Sequence, residues 1–279
     1  NRDFFIQNVF THHFNQNLSY KNHFKLSSNY TRYFDPYYNN AQGFQEDVYN
    51  QEEMYLNNIL AWQNKKRTIC FSLTNDLSLN SLNAKTNYEF DPKRFSSISA
   101  ITSAFKYRKL RLDLNLLHTV TKDWATLHKA FATQNHFSPF LSLLLKDSHY
   151  EISLFYKDIF RIPTFNDLYY NLVGEPNLKP EKAKQYNLHT AYFTSWGEEN
   201  YHNIYLGIDL YHNKVKDKIV AVPRNNLFIW SMVNYGQVIV NGLELKLNYN
   251  HERFINKENM KINLNLIYND HQAIDIDKN

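Results

Sequence analysis

The stretch KLRLDLNLLH (109–118) alternates apolar and polar residues almost without a break. Successive side chains of a β-strand point to opposite faces, so every second residue shares a face. One face carries Leu110, Leu112, Leu114 and Leu116, and the other carries Arg111, Asp113 and Asn115. The stretch therefore predicts a strand whose sheet is apolar on one side and wet on the other.

The same alternation recurs along the chain, for example in NIYLGIDLYH (203–212) and GLELKLNYN (242–250). Most of the predicted strands are longer than is usual in soluble sheets, and most are long enough to cross a bilayer at a tilt. About twelve strands are predicted, near residues 4–14, 21–33, 53–63, 67–82, 94–107, 109–121, 138–146, 149–161, 182–196, 203–220, 237–250 and 259–269.

The predicted connections alternate between short and long. Short ones fall near 15–20, 63–67, 108, 146–149, 197 and 251–258, and long ones near 35–51, 83–93, 122–137, 160–181 and 216–236. Consecutive antiparallel strands place all the short connections at one end of the sheet and all the long ones at the other. The fold class predicted is thus all-β, an antiparallel transmembrane β-barrel with short periplasmic turns and long extracellular loops.

Composition narrows the function. The chain has 279 residues, a mean hydropathy of −0.59 and 16% aromatic residues, and it contains no apolar run long enough for a transmembrane helix. A single cysteine, Cys70, excludes a disulfide framework or a thiolate zinc site. The net charge of +4 comes from scattered basic residues, which argues against a nucleic-acid partner. No signal peptide and no glycine-rich phosphate loop is recognisable, and no cofactor is expected.

One long connection, FRIPTFNDLYYNLVGEPNLKPE (160–181), carries a recognisable motif. It resembles the signature of TonB-dependent outer-membrane receptors, in which a strand ends FR-x-P-x-F-x-x-L-Y and the loop closes with N-P-N-L-x-P-E. Glu175 stands where that family usually has Asn. The matching residues are Phe160, Arg161, Pro163, Phe165, Asn166, Asp167, Leu168 and Tyr169, then Pro176, Asn177, Leu178, Lys179, Pro180 and Glu181, with Gly174 between the halves.

The resemblance implies a barrel of 22 strands plugged by a separate domain, and import of a scarce nutrient chelate, a ferric siderophore or cobalamin. It also implies the bacterial outer membrane, energy from the TonB complex received through the plug, contact with outer-membrane lipid and a possible surface lipoprotein partner. The chain shows no plug before its first strand and has too few strands for the whole wall. We therefore expect residues 1–279 to be part of a single barrel domain, with the plug absent.

Ligand contact is expected from aromatic residues in the long loops: Tyr37, Tyr38, Phe44, Tyr169, Tyr170, Phe228 and Trp230. The motif is predicted to lie in an outward loop, where Tyr169 and Tyr170 would expose their rings. The alternative is that the motif only packs as a loop stem that caps the lumen, a role that suits Arg161, Pro163, Asn177 and Pro180.

No catalytic or metal site is predicted. His12 and His13 point to opposite faces of one strand, and the lumen carboxylates Asp113, Asp209 and Glu244 fit a polar wall. Arg111 and Lys246 are expected to pair with Asp113 and Glu244 across neighbouring strands. Other functions stay open: an outer-membrane hydrolase with its site on the loops, a passive porin or a surface adhesin.

Overall fold

The structure, a computed structural model, describes residues 1–37, 43–85, 89–124, 133–171, 173–197, 202–223, 230–253 and 258–274. They form one antiparallel sheet in which each long strand pairs with the next along the chain and the short β5 pairs with β4. The strands are β1 (Arg2–His13), β2 (Leu18–Asp35), β3 (Gln45–Gln63), β4 (Ile69–Lys85), β5 (Glu89–Phe90), β6 (Lys93–Tyr107), β7 (Leu110–Trp124), β8 (Gln134–Lys146), β9 (Tyr150–Arg161), β10 (Glu181–Trp196), β11 (His202–Pro223), β12 (Trp230–Arg253) and β13 (Glu258–Ile274). The helix α1 spans Phe165–Tyr169. No described helix is long and apolar enough to span a membrane.

All twelve predicted strands are present, and the all-β prediction is confirmed. The predicted bounds are too short at the end with long connections. β3 begins at Gln45 instead of near residue 53, and β12 begins at Trp230 instead of near 237. Both stretches continue their ladders, as in the pairs Phe34–Glu46 and Val220–Val233. Pairing there satisfies backbone N–H and C=O groups even where the apolar alternation fades.

The outer face of the sheet is covered by an apolar belt. Leu143, Leu154, Leu188, Leu210 and Leu243 are direct neighbours across five adjacent strands. The first four are 38–48% exposed, and no other part of the described chain covers them. Leu114 and Leu116 of the decisive stretch are likewise exposed. These leucine rows therefore face lipid, as the sequence pattern predicts.

The opposite face is polar and internally bonded. Lys25 pairs with Glu53 at 3.0 Å, the Tyr55 hydroxyl donates to Asp76 at 3.1 Å, and His189 contacts Asp209 at 2.9 Å. Polar groups on this face satisfy one another along and across strands, as the wall of a water-filled lumen requires. β1 and β13 are the two edges of the described sheet.

Candidate functional site

The connection between β9 and β10, of which residues 162–171 and 173–180 are described, turns inward across the polar face, and we call it the brace. Its helix buries Phe165, Leu168 and Tyr169, which are 5–6% exposed, against Tyr49 on β3 and against two residues of β4, Leu82 and Ala84. The expectation that this helix exposes its aromatic rings is therefore wrong, and its packing agrees with the alternative of a loop stem that covers the lumen. Burial of three large apolar side chains is what draws the connection inside.

Local sequence explains why α1 forms where it does. Pro163 cannot extend strand pairing because it has no N–H. Thr164 caps the helix: its hydroxyl accepts from the Asp167 N–H at 3.1 Å, and the Asp167 carboxylate accepts from the Thr164 N–H at 2.9 Å. This reciprocal capping box satisfies two backbone donors that the first turn leaves unpaired. The helix start is thus encoded locally by Pro-Thr-x-x-Asp.

Gly174 permits the tight return after the helix. Its N–H donates to the carbonyl of Tyr170 at 2.7 Å. A Cβ at this position would lie 2.7 Å from the backbone carbonyl carbon and oxygen of Leu168. Those are backbone atoms of the helix and cannot swing aside, so the close approach requires glycine.

Arg94 on β6 anchors the start of the brace. Its guanidinium forms a two-point contact with Asp123 on β7 at 2.7 and 2.6 Å, and a third N–H donates to the Pro163 carbonyl at 2.7 Å. It also lies 5.1 Å from the centre of the Phe165 ring. The side chains of Arg94 and Asp123 are only 12% and 13% exposed. Bidentate, charge-assisted bonds in a site so little exposed to water are strong and geometrically specific.

Arg161 joins the two ends of the brace. It contacts Asp167 at 3.0 Å and Glu181 at 3.6 Å. Glu181 in turn accepts from the backbone N–H of Ile219 on β11 at 3.0 Å. The first residue of β10 is therefore bonded both to the last residue of β9 and to the next strand.

The far side of the brace reaches two distant strands. Asn171 donates through its backbone N–H to the Tyr49 hydroxyl and through its side chain to Asp47, each at 2.9 Å. The ring of Tyr170 stacks on that of Tyr49 at 4.5 Å. Two residues further on, the Val173 carbonyl accepts from the N–H of Met232 on β12 at 2.9 Å. The brace therefore connects β3 with β12.

These contacts define the curvature of the sheet. β3 and β12 are eight strand spacings apart in the sheet order. At about 4.8 Å per spacing they would stand roughly 38 Å apart if the sheet were flat. Residues 171 and 173 of one chain are separated by at most about 7 Å. Even allowing for the length of the tyrosine side chain, the wall must bend round until the two strands approach each other.

The predicted ligand contacts fall in different environments. Tyr37 is 92% exposed, Phe44 42% and Trp230 48%, all at the end with long connections. Tyr170 is partly buried against Tyr49. Tyr169 is buried, so the expectation of an exposed ring there is wrong; burial also raises the pKa of its phenol to about 12. Tyr38 and Phe228 lie outside the described residues.

The remaining motif residues pack locally. Phe160 stacks on His136 at 4.5 Å, and Asn177 bonds to Glu175 at 3.0 Å. Asn166 accepts the backbone N–H of Tyr170 at the helix end. A cavity of only about 50 Å³ remains between the brace and the wall, too small for a nutrient ligand, and its lining includes Pro163, Leu168, Pro176, Leu178 and Pro180.

Sequence reasoning did not identify Arg94, Asp47, Tyr49 or Asn171 as parts of this site. Each acts on a partner far away in the chain, so no local pattern marks it. The predicted pairing of Arg111 with Asp113 exists, but it runs along one strand, at 2.7 Å, and not between strands. Lys246 lies 6.0 Å from the ring centre of Tyr205, and no ion pair with Glu244 is found among the described residues.

Metal-ligating side chains do not cluster in the part of the chain that the structure describes. No three histidine, cysteine, aspartate or glutamate side chains come together there as metal ligands would. A cavity of about 830 Å³ lies at the opposite end, beside the turns that contain Asn15 and Asn64. The brace and the exposed aromatic residues at the same end of the wall, Tyr37, Phe44 and Trp230, are taken as the candidate site.

Comparison with known proteins agrees with this architecture. Residues 1–278 match the family model for the TonB dependent receptor-like β-barrel. The vitamin B12 transporter BtuB of Vibrio vulnificus is 30% identical over 87 residues, 31% of this chain and 13% of that protein.

Among solved structures, the FrpB iron transporter of Neisseria meningitidis superposes with a TM-score of 0.68 at 11% identity, covering 99% of this chain and 45% of FrpB. BauA, the ferric preacinetobactin receptor of Acinetobacter baumannii, gives 0.61 at 11% identity, covering 97% and 45%. The chain thus spans less than half the length of these proteins, and the structural likeness establishes the fold. The match to the family model extends over nearly every residue, and the chain belongs to the TonB-dependent receptor β-barrel family.

Proposed function

We propose that this chain forms part of the wall of a transporter that carries a scarce nutrient chelate, a ferric siderophore or cobalamin, across the bacterial outer membrane. It also forms part of the outer mouth, by which we mean the end of the wall that carries Tyr37, Phe44 and Trp230. The observation that carries the proposal is the brace, which narrows the lumen between β3 and β12 at the end where Tyr37, Phe44 and Trp230 expose their rings. A narrowed mouth rimmed with aromatic surface suits capture of a bulky ligand better than free diffusion of small solutes.

The ligand class is inferred from two kinds of support. The names of relatives include a vitamin B12 transporter and a ferric preacinetobactin receptor. Such ligands are metal chelates with large, partly apolar surfaces, which tyrosine, phenylalanine and tryptophan contact at low conformational cost. We therefore assign first contact with ligand to the exposed mouth aromatics and not to the buried Tyr169.

Transport in this proposal involves no covalent chemistry. Receptors of this family interact with TonB and import small chelates. We propose that ligand binding at the mouth is followed by movement of a plug domain that TonB pulls, and that residues 1–279 supply one portion of the surrounding barrel. A surface lipoprotein that hands ligand to the mouth is an additional proposed partner.

The test replaces the mouth aromatics in the full natural chain. The variant Y37A/F44A/W230A removes the three exposed rings, and the control Y107A/Y150A/W196A removes three comparably exposed rings at the other end of the wall. Binding of ferric siderophores and of cyanocobalamin to both variants is measured by fluorescence titration. We expect at least about a tenfold rise in Kd for one of these ligands in the mouth variant, because each anchoring aromatic contributes upwards of about 1 kcal/mol.

Growth of a deletion strain on single iron or cobalamin sources identifies the cargo. Complementation by the natural chain, and its loss when TonB is removed, is the expected result. Equal binding by both triple variants would contradict the assignment of the mouth. Ion conductance through the protein in a planar bilayer without TonB would favour a passive porin instead.

A further inference from the structure

A row of polar side chains crosses the outer face of β2, β3, β4 and β6. Asn58 has Asn22 and Asn75 as its direct cross-strand neighbours. Ser99 is the next neighbour of Asn75. Alternation places Asn58 on the same face as Leu60, which is 40% exposed in the apolar belt. We call Asn22, Asn58, Asn75 and Ser99 the polar row.

The polar row lies within the apolar belt and not at its rim. On β3 the outer face reads Trp62, Leu60, Asn58, Leu56 and Met54, beginning at the end with short connections. From Trp62 to Asn58 is four residues, about 14 Å along the strand and roughly 10 Å of height at a tilt of about 40°. The apolar band of an outer-membrane barrel is about 25 Å tall, so Asn58 stands close to its middle.

Hydrogen bonds within the row leave a donor and an acceptor unused side by side. The Asn58 side-chain oxygen accepts from the Tyr20 hydroxyl at 2.6 Å and from the Asn22 amide at 2.9 Å. The Asn75 amide donates to the Ser99 hydroxyl at 2.9 Å. The amide nitrogen of Asn58 and the side-chain oxygen of Asn75 have no partner among the residues that the structure describes. Acyl chains cannot supply one, because the bilayer core offers no hydrogen-bonding groups.

The wall is also recessed at this point. An open depression of about 430 Å³ includes Asn58, Asn75 and Ser99 in its lining. Leu73 and Ile101 stand beside them and are 54% and 57% exposed. Short side chains in a membrane-facing surface allow a second surface to approach closely. The recess therefore coincides with the amide groups that lack a partner.

We propose that a second copy of this chain packs on the polar row within the membrane. A two-fold axis along the membrane normal keeps each residue at its own height and sets β3 of one copy opposite β4 of the other. Asn58 of each copy then faces Asn75 of the other, so an open amide N–H meets an open carbonyl oxygen twice. Because each face offers one donor and one acceptor, the surface is complementary to itself. The inference concerns the outside of the wall and is independent of which nutrient is imported.

The test measures association of the full natural chain in phospholipid vesicles. Separate batches carry a donor or an acceptor fluorophore, and energy transfer between them is followed as the protein-to-lipid ratio is varied. The variants N58L and N75L give the row the leucines that the other half of the wall carries. The control T190L/T194L replaces two polar residues of the same outer face on β10, where Thr190 is the direct neighbour of Ile208.

We expect the natural chain to form dimers and each single variant to form them about tenfold more weakly. Every bond joins Asn58 of one copy to Asn75 of the other, so either substitution removes both bonds. Each bond between polar side chains in a membrane contributes about threefold. The control should associate as the natural chain does. Mixing N58L copies with N75L copies restores one bond and should give dimers about threefold tighter than either variant forms alone.

The substitutions face lipid, so ligand binding by both variants should equal that of the natural chain, which separates a lost dimer from a misfolded barrel. If N58L fails to insert, N75L carries the test, because it leaves the bonds of Tyr20 and Asn22 intact. A natural chain that is monomeric at every ratio, undiminished association of both variants, or a mixture no tighter than its components would overturn the proposal. So would purification of the natural chain, in mild detergent, with a different protein bound that the variants lose.

Discussion

The turn between β3 and β4 and the brace close neighbouring strands in contrasting ways. In the turn, the Asn64 side-chain oxygen accepts from the N–H groups of Thr68 and Ile69 at 2.8 and 3.2 Å, so the turn is complete within itself. The brace instead takes its bonds from Arg94, Tyr49 and Met232 on remote strands. The difference teaches that one end of this wall is built by local turn chemistry, whereas the other depends on the sheet being curved.

The largest effect is expected when the anchor of the brace is removed. Arg94→Ala leaves Asp123 nearly buried without its partner, which costs about 3–5 kcal/mol in free energy of unfolding. Arg111→Ala breaks a bidentate pair of the same kind that is 45% and 25% exposed, and should cost less than about 1 kcal/mol. Thermal unfolding of both variants measures the difference. Similar losses in the two would show that the brace adds nothing to the wall.

The next effect depends on pH. Because burial holds the Tyr169 pKa at about 12, above its ordinary 10.0, the folded state retains the proton more strongly. Stability is complete below pH 10 and falls as the pH rises toward 12, by about 2 kcal/mol at the upper end. Tyr169→Phe should remove this part of the alkaline decline. Melting temperatures of the natural chain and the variant at pH 8, 10 and 11.5 measure it, and parallel curves would contradict the prediction.

A third effect, of similar size, is expected at the return of the brace. Gly174→Ala forces a methyl group onto the backbone of Leu168 and should destabilise by about 1–3 kcal/mol. Gly207→Ala is the matched change in β11, where the new methyl group meets only the Tyr205 ring, which can rotate away. Hydrogen exchange of amides 164–171 should quicken in the first variant alone. Unchanged exchange in Gly174→Ala would mean that the helix can shift to accept a side chain.

The smallest expected loss of stability distinguishes Asn171, which bonds to β3, from Asn177, which bonds only within the brace. Asn171→Ala removes the bond to Asp47, which is 4% exposed, and should cost about 1–2 kcal/mol. Asn177→Ala removes only an exposed contact with Glu175 inside the brace. Thermal unfolding of the two alanine variants measures the difference. Equal stability of the two alanine variants would place the link between β3 and β12 elsewhere.

Much of the wall could be predicted from the sequence. Period-2 alternation located every long strand, because lipid-facing residues are predominantly apolar whatever their neighbours are. The motif at 160–181 was also found, and its capping residues Thr164 and Asp167 act within four positions of each other. Strand ends were missed at β3 and β12, since beyond the membrane neither face is constrained to be apolar.

By itself, then, the sequence determined an all-β wall, the identity of its two faces and the alternation of its connections, because these follow from neighbouring residues and from the solvent each must meet. Only the tertiary structure decided that the brace turns inward, that Arg94 binds its start while held by Asp123, and that Asn171 bonds to Asp47 and Tyr49. Those contacts join residues more than a hundred positions apart in the last case. They exist because curvature of the sheet brings distant strands within hydrogen-bonding reach, a distance that no run of adjacent residues records.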